Sequence, residues 1–121
     1  MTLKEYQQQA MTTCLYESKN FSYMMLNLVG EVGEFASKVA KAIRKDKACI
    51  YYNELQTESG PNAMTLEEVE DLRKEAGDIL WQLSGLCTVM GWDLEDVAEM
   101  NLEKLASRQE RGKIDGNGDN R

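Results

Sequence analysis

The stretch Leu28-Val-Gly-Glu31-Val-Gly-Glu34-Phe-Ala-Ser-Lys38-Val-Ala-Lys-Ala-Ile43 decides how this chain folds. Leu28, Val32, Phe35, Ala36, Val39 and Ile43 recur at helical spacing and make one broad apolar arc. Glu31 and Glu34 are three residues apart, so their carboxylates leave neighbouring positions at the rim of that arc. An acid pair so placed is held rigid by packing yet still reaches a polar cleft. The predicted helix starts at Asn20 or Ser22 and runs to about Lys45. Its basic end, Lys41, Arg44, Lys45 and Lys47, suits a helix C-terminus.

Three further helices are predicted around it. Thr2-x-x-Glu5 is a capping box for a first helix, with Leu3, Tyr6, Ala10, Met11 and Cys14 on its core face and fraying near Ser18. Thr65-x-x-Glu68 opens another, whose apolar face runs through Leu66, Val69, Leu72, Ala76, Ile79, Leu80, Leu83, Leu86, Cys87 and Met90 to a stop at Gly91. Asp93 caps a last helix with core residues Leu94, Ala98, Leu102 and Leu105, ending at Gly112. Residues 46–64 lack helical periodicity and form a long connection, in which Ile50-Tyr51-Tyr52 reads as a short strand or a packed loop. The polar, glycine-rich tail 113–121 is of the kind usually disordered. The expectation is an all-α bundle of four main helices in a single domain spanning 1–121.

Composition excludes several function classes. The 121 residues carry a formal charge of −7, which disfavours a nucleic-acid polymer as partner but not a small phosphorylated ligand with its cations. There is no histidine, so histidine bases, His-based triads and typical zinc sites are absent. No apolar run approaches the roughly 18 residues of a membrane span, and no signal-peptide pattern opens the chain. Three widely spaced cysteines, Cys14, Cys49 and Cys87, fit a reducing compartment, so a cytoplasmic location is expected.

The third helix repeats the acidic arrangement as Glu75-Ala-Gly-Asp78 beside its own apolar face. One E-x-x-E on a helix is ordinarily a solvated surface. Two acid–x–x–acid pairs at equivalent positions on two helices can converge into one cleft. Four carboxylates there repel unless cations are present, and all-oxygen ligands suit Mg²⁺ or Mn²⁺. Glycines 30, 33 and 77 leave room for close approach of a helix or a ligand. On the last helix Asn101, Lys104 and Arg108 fall at i, i+3 and i+7, a donor-rich stripe suited to phosphate oxygens. Lys38 lies one turn beyond Glu34. Trp81 lies opposite its helix's main apolar face and requires a second helix layer, a subunit interface or a stacked nucleobase.

These residues carry a family resemblance. Glu31-Val-Gly-Glu34 followed by Glu75-Ala-Gly-Asp78 resembles the E-x-x-E … E-x-x-D signature of the all-α nucleoside triphosphate pyrophosphohydrolases of the MazG type. Asn101-Leu-Glu-Lys104-Leu-Ala-Ser-Arg108, with the tail Gly112 to Arg121, resembles the closing segment of compact single-domain MazG-like proteins. The resemblance implies Mg²⁺-dependent hydrolysis of an NTP or dNTP between the α and β phosphates, giving the monophosphate and pyrophosphate. It makes Glu31, Glu34, Glu75 and Asp78 the metal ligands and places Asn101, Lys104 and, less closely, Arg108 on phosphate. It implies a homodimer or dimer of dimers, with Trp81 in the interface. The tail, with Lys113, Asp119 and Arg121, would fold over bound nucleotide. The segment 35–74 is longer than the family pattern, which opens the base preference. Alternatives are a dUTPase- or dCTPase-like enzyme, a phosphoribosyl-ATP pyrophosphohydrolase, or a non-catalytic helical-bundle interaction protein.

Overall fold

Short-range capping sets the helix boundaries of this protein. The computed structural model describes residues 1–58 and 60–119. In chain order these form α1 (Leu3–Met11), a 3₁₀ turn (Tyr16–Ser18), α2 (Phe21–Arg44), the strands β1 (Cys49–Tyr51) and β2 (Glu54–Gln56), α3 (Leu66–Val89) and α4 (Leu94–Glu110). Both predicted capping boxes form: Thr2 and Glu5 exchange bonds of 3.0 and 3.3 Å, and Thr65 and Glu68 two of 3.1 Å. Asn20 Oδ1 accepts the Tyr23 N–H at 2.9 Å and starts α2.

α1 ends at Met11, earlier than expected. The Thr12 and Thr13 hydroxyls donate to the Gln9 and Ala10 carbonyls at 2.6 and 2.7 Å and so occupy the last turn's acceptors. α2, α3 and α4 close alike. Asp46, Gly91 and Gly112 take φ of 57°, 74° and 66°, and the next residue's N–H returns to the Ala42, Cys87 or Arg108 carbonyl at 2.7–2.8 Å. Asp93 makes no side-chain cap. The orphan N–H of Leu94 is taken instead by Gln7 Oε1 from α1 at 2.8 Å, while Gln7 Nε2 donates to Thr88 Oγ1 and the Trp92 carbonyl, each at 3.0 Å. One buried amide therefore ties α1 to the corner between α3 and α4.

The connection after α2 holds a hairpin. β1 and β2 pair antiparallel with Ile50 opposite Leu55, around a two-residue turn in which Tyr52 and Asn53 both have positive φ. Tyr51 and Tyr52 remain exposed and meet each other edge to face. An ion pair from Lys47 to Glu68 at 2.9 Å ties this segment to the first turn of α3.

α2 lies along α3, α1 packs on α3, and α4 rests on α1 and α3. Both long helices are turned about their axes from the expected orientation. On α2, Met24 and Ala42 are buried and Leu28, Glu31, Phe35 and Val39 half-buried, whereas Val29 and Val32 are 64% and 50% exposed. On α3, Leu72, Glu75, Gln82, Ser84, Gly85 and Cys87 are buried, and Ala76, Leu80 and Leu83 are exposed. The buried faces thus include polar rim residues beside apolar ones, and half of each apolar arc is exposed.

Two sequence expectations change accordingly. Glycines 33 and 77 do not mark close approach of a helix within the chain, since a Cβ at either would meet nothing within 4 Å; at Gly30 it would meet only Asn27 Oδ1, a neighbour on the same helix. The close approach is at Gly85, where a Cβ would collide with Met24 Sδ. Trp81 finds its second layer in α1: its indole N–H donates to the Ala10 carbonyl at 3.1 Å and to Thr13 Oγ1 at 3.0 Å. Gly85→Ala is expected to destabilise the fold by about 1–3 kcal/mol through overpacking against a fully buried methionine, read by chemical denaturation.

Candidate metal centre

The polar seam between α2 and α3 is the candidate site. Glu31 and Glu34 come from successive turns of α2, and Glu75 comes from the facing edge of α3. Each offers one carboxylate oxygen, and these oxygens lie within 4.8 Å of one another. Glu75 is buried, Glu31 half-buried and Glu34 exposed, so the cluster is closed at one end and open to solvent at the other. Asp78 is exposed and stands outside that tight group, although its charge reaches Glu31 and the phenol of Tyr6 on α1.

The cluster is under-satisfied. Lys38 Nζ sits 2.6 Å from Glu75 Oε1, and Asn27 Nδ2 donates to Glu31 Oε1 at 3.3 Å. The second oxygens, Glu31 Oε2 and Glu75 Oε2, are buried with no hydrogen-bond partner among the described residues. Buried acceptors without donors are costly, and two beside a third carboxylate form an oxygen set that a hard divalent cation would satisfy. Burial, and then the charges of Glu34, Asp78 and Glu75, push the Glu31 carboxyl above its ordinary value, with Asn27 pulling the other way. The Lys38 ammonium is raised, chiefly by its bond to Glu75.

The α4 stripe is not gathered into this cluster within one chain. Asn101 and Lys104 line an open groove of about 790 Å³ with Trp92, Val97 and Met100, and none of the four acids lines it. Arg108 is buried, and its Nη2 donates to the Gly118 carbonyl and to Asp119 Oδ1, both at 3.2 Å. Lys104 Nζ reaches the same Asp119 oxygen at 3.1 Å, and the two cations hold that carboxyl below its usual range. The tail, expected to be disordered, is thus hooked back onto α4. Arg121, expected to fold over nucleotide, lies outside the described residues.

Residues 19–112 match the model of the MazG nucleotide pyrophosphohydrolase domain. The chain belongs to this family. The matched MazG segment contains all four acids and the α4 stripe, but not α1. The chain is also 36% identical over 123 residues to the "Gene 37 protein" of Mycobacterium phage L5, covering 96% of each chain. No solved structure matches. No helix among the described residues is long and apolar enough to cross a membrane.

Sequence reasoning missed Tyr6 and Asn27, which the fold brings to the acids, and Gln82, which binds Asn27. Only Asn27 carried a signal: it precedes Glu31 by four residues and so shares its helix face.

Because folded Glu31 holds its proton more tightly than an unfolded carboxyl does, its contribution to stability is lost as pH rises from the ordinary carboxylate range through the raised value. Glu68 and Asp119, both lowered, act with the opposite sign. The expected signature in EDTA is therefore a difference. Glu31→Gln should raise the melting temperature at neutral pH and narrow its gap from the unsubstituted protein on acidification, as thermal scans across pH would read.

Proposed function

We propose that this protein hydrolyses nucleoside triphosphates, NTP or dNTP, at the α–β phosphate bond, releasing the monophosphate and pyrophosphate with Mg²⁺ as cofactor. The observation that carries this reading is the pair of partnerless buried oxygens, Glu31 Oε2 and Glu75 Oε2, in a three-acid cluster of a MazG-family chain. Glu31, Glu34 and Glu75 would hold Mg²⁺, or Mn²⁺ in its place, with Asp78 as the fourth ligand. Bound there, the ion would neutralise charge on the phosphoryl oxygens and lower the pKa of an attacking water. Glu34 is the solvent-facing member of the cluster, so it is the acid able to take the water's proton and pass it to bulk. Lys38, whose side chain is 45% exposed, can swing from Glu75 to a phosphate oxygen. Asn101 and Lys104 would donate to the phosphate chain through charge-assisted bonds, while Arg108, buried and bound to Gly118 and Asp119, would join them only if the tail gave way.

A second copy of the chain is part of this reading. Phe21, Val29 and Val32 on α2 and Leu80 and Leu83 on α3 are exposed large apolar residues on the outward faces of the two longest helices. A homodimer, or a dimer of dimers, would cover them and would give the α4 stripe of one chain a route to the acids of another. A cytoplasmic location fits the free cysteines and a nucleotide substrate.

Pyrophosphate release from a panel of NTPs and dNTPs should require Mg²⁺, stop in EDTA, and fall by about 100-fold or more in Glu75→Ala. Release that survives the substitution would dismiss the reading, and the ranking within the panel names the preferred base. Val29→Asp should halve the particle mass seen by light scattering and lower turnover with it. A variant that keeps both would remove the second copy from the proposal.

A further inference from the structure

A chain of amides leads from the α2 backbone into the acid cluster. Gln82 is 1% exposed, and its Nε2 points at the Met24 carbonyl (3.5 Å) and Met24 Sδ (3.2 Å). A carbonyl only accepts, so it turns the Gln82 nitrogen toward itself and the Gln82 oxygen toward Asn27. Asn27 must then present its NH₂ group. Asn27 Nδ2 donates to Gln82 Oε1 at 2.9 Å and to Glu31 Oε1 at 3.3 Å, with a longer contact to the Tyr23 hydroxyl at 3.5 Å. Amide orientation is ambiguous for an isolated side chain, but here an acceptor stands at each end, the Met24 carbonyl and the Glu31 carboxylate, and the assigned polarity of both amides suits both. Asn27 Oδ1 would lie 3.3 Å from a Cβ at residue 30, so glycine there leaves the amide its space. Its consequence falls on Glu31: with Oε1 engaged, Oε2 is the buried oxygen left without a partner.

We propose that Asn27, oriented by Gln82, is a positioning residue that holds the Glu31 carboxylate with Oε2 presented to a divalent cation. This rests on the metal-centre reading above. The amide does not touch the cation; it removes the freedom of a carboxylate that otherwise has rotamers to choose from. Hydrogen-bond partners that orient a ligand are worth about 10- to 100-fold in metal affinity.

The test is Mn²⁺ binding to the full chain, read as free Mn²⁺ by electron paramagnetic resonance, for the unsubstituted protein, Asn27→Leu, Glu31→Gln and the double variant. Leucine keeps the volume and removes the donor. Asn27→Leu is expected to weaken Mn²⁺ binding about tenfold and to cost nothing further in the Glu31→Gln background. A general structural role would weaken both backgrounds alike. On the unsubstituted protein, the Asn27 side-chain NH₂ resonances should shift on Mg²⁺ addition while those of Asn53 in the hairpin turn stay put, a readout that survives if Asn27→Leu fails to fold. Unchanged Mn²⁺ affinity in a folded Asn27→Leu, an equal loss in both backgrounds, or an unmoved Asn27 amide would each overturn the inference. If the unsubstituted chain bound no Mn²⁺, the metal-centre reading itself would fall, and this inference with it.

Discussion

Burying the Glu75 carboxylate between two helices has to be compensated, and its neighbours dictate how α2 and α3 meet. An unpaired buried carboxylate costs several kcal/mol, so the facing helix must bring a cation or a donor to it. Lys38 does so from one turn beyond Glu34, at 2.6 Å, and can only do so if α2 presents its polar edge to α3. Once that edge is inward, Asn27 meets Gln82, Glu31 joins Glu75, and the outer half of the apolar arc is turned to solvent.

That choice explains the uneven distribution of buried surface. Among the described residues Met24, Ala42, Ala48, Leu72, Cys87 and Leu94 are the buried apolar residues, while Leu26 on α2 is 73% exposed. A monomer built this way spends its best apolar surface on solvent. The same rotation that assembles a polar cluster at the helix seam leaves an apolar face exposed on the single chain, and the site and that face are two results of one packing decision.

α1 plays a different part, holding the assembly through polar groups at its middle and around its C-terminal end. Gln7 caps the N-terminus of α4 and binds the corner before it, and the Ala10 carbonyl and Thr13 hydroxyl receive the Trp81 indole. Tyr6, next to Gln7, brings a phenol whose proton is held more tightly by burial and by Asp78. The helix that lies outside the MazG match is thus the one that closes the far side of α3.

Read as a string, the chain determined its helices, because capping boxes, apolar periodicity and the Gly91 and Gly112 stops act over a few residues. It also placed Glu31 with Glu34, and Glu75 with Asp78, on one side of each helix, since i, i+3 spacing is a local fact, and its match to the MazG family points to a nucleotide pyrophosphohydrolase. The tertiary structure decided what depends on how helices are rotated and what lies across from them. It joined three acids tightly and set Asp78 apart, gave Trp81 to α1 and the α4 cap to Gln7, hooked Asp119 onto Lys104 and Arg108, and placed Asn27 against Gln82. Periodicity describes an arc but not which part of it faces inward. When the arc is wide and its rim carries charge, the electrostatic demands of a partner helix choose the rotation, and that partner is remote in sequence.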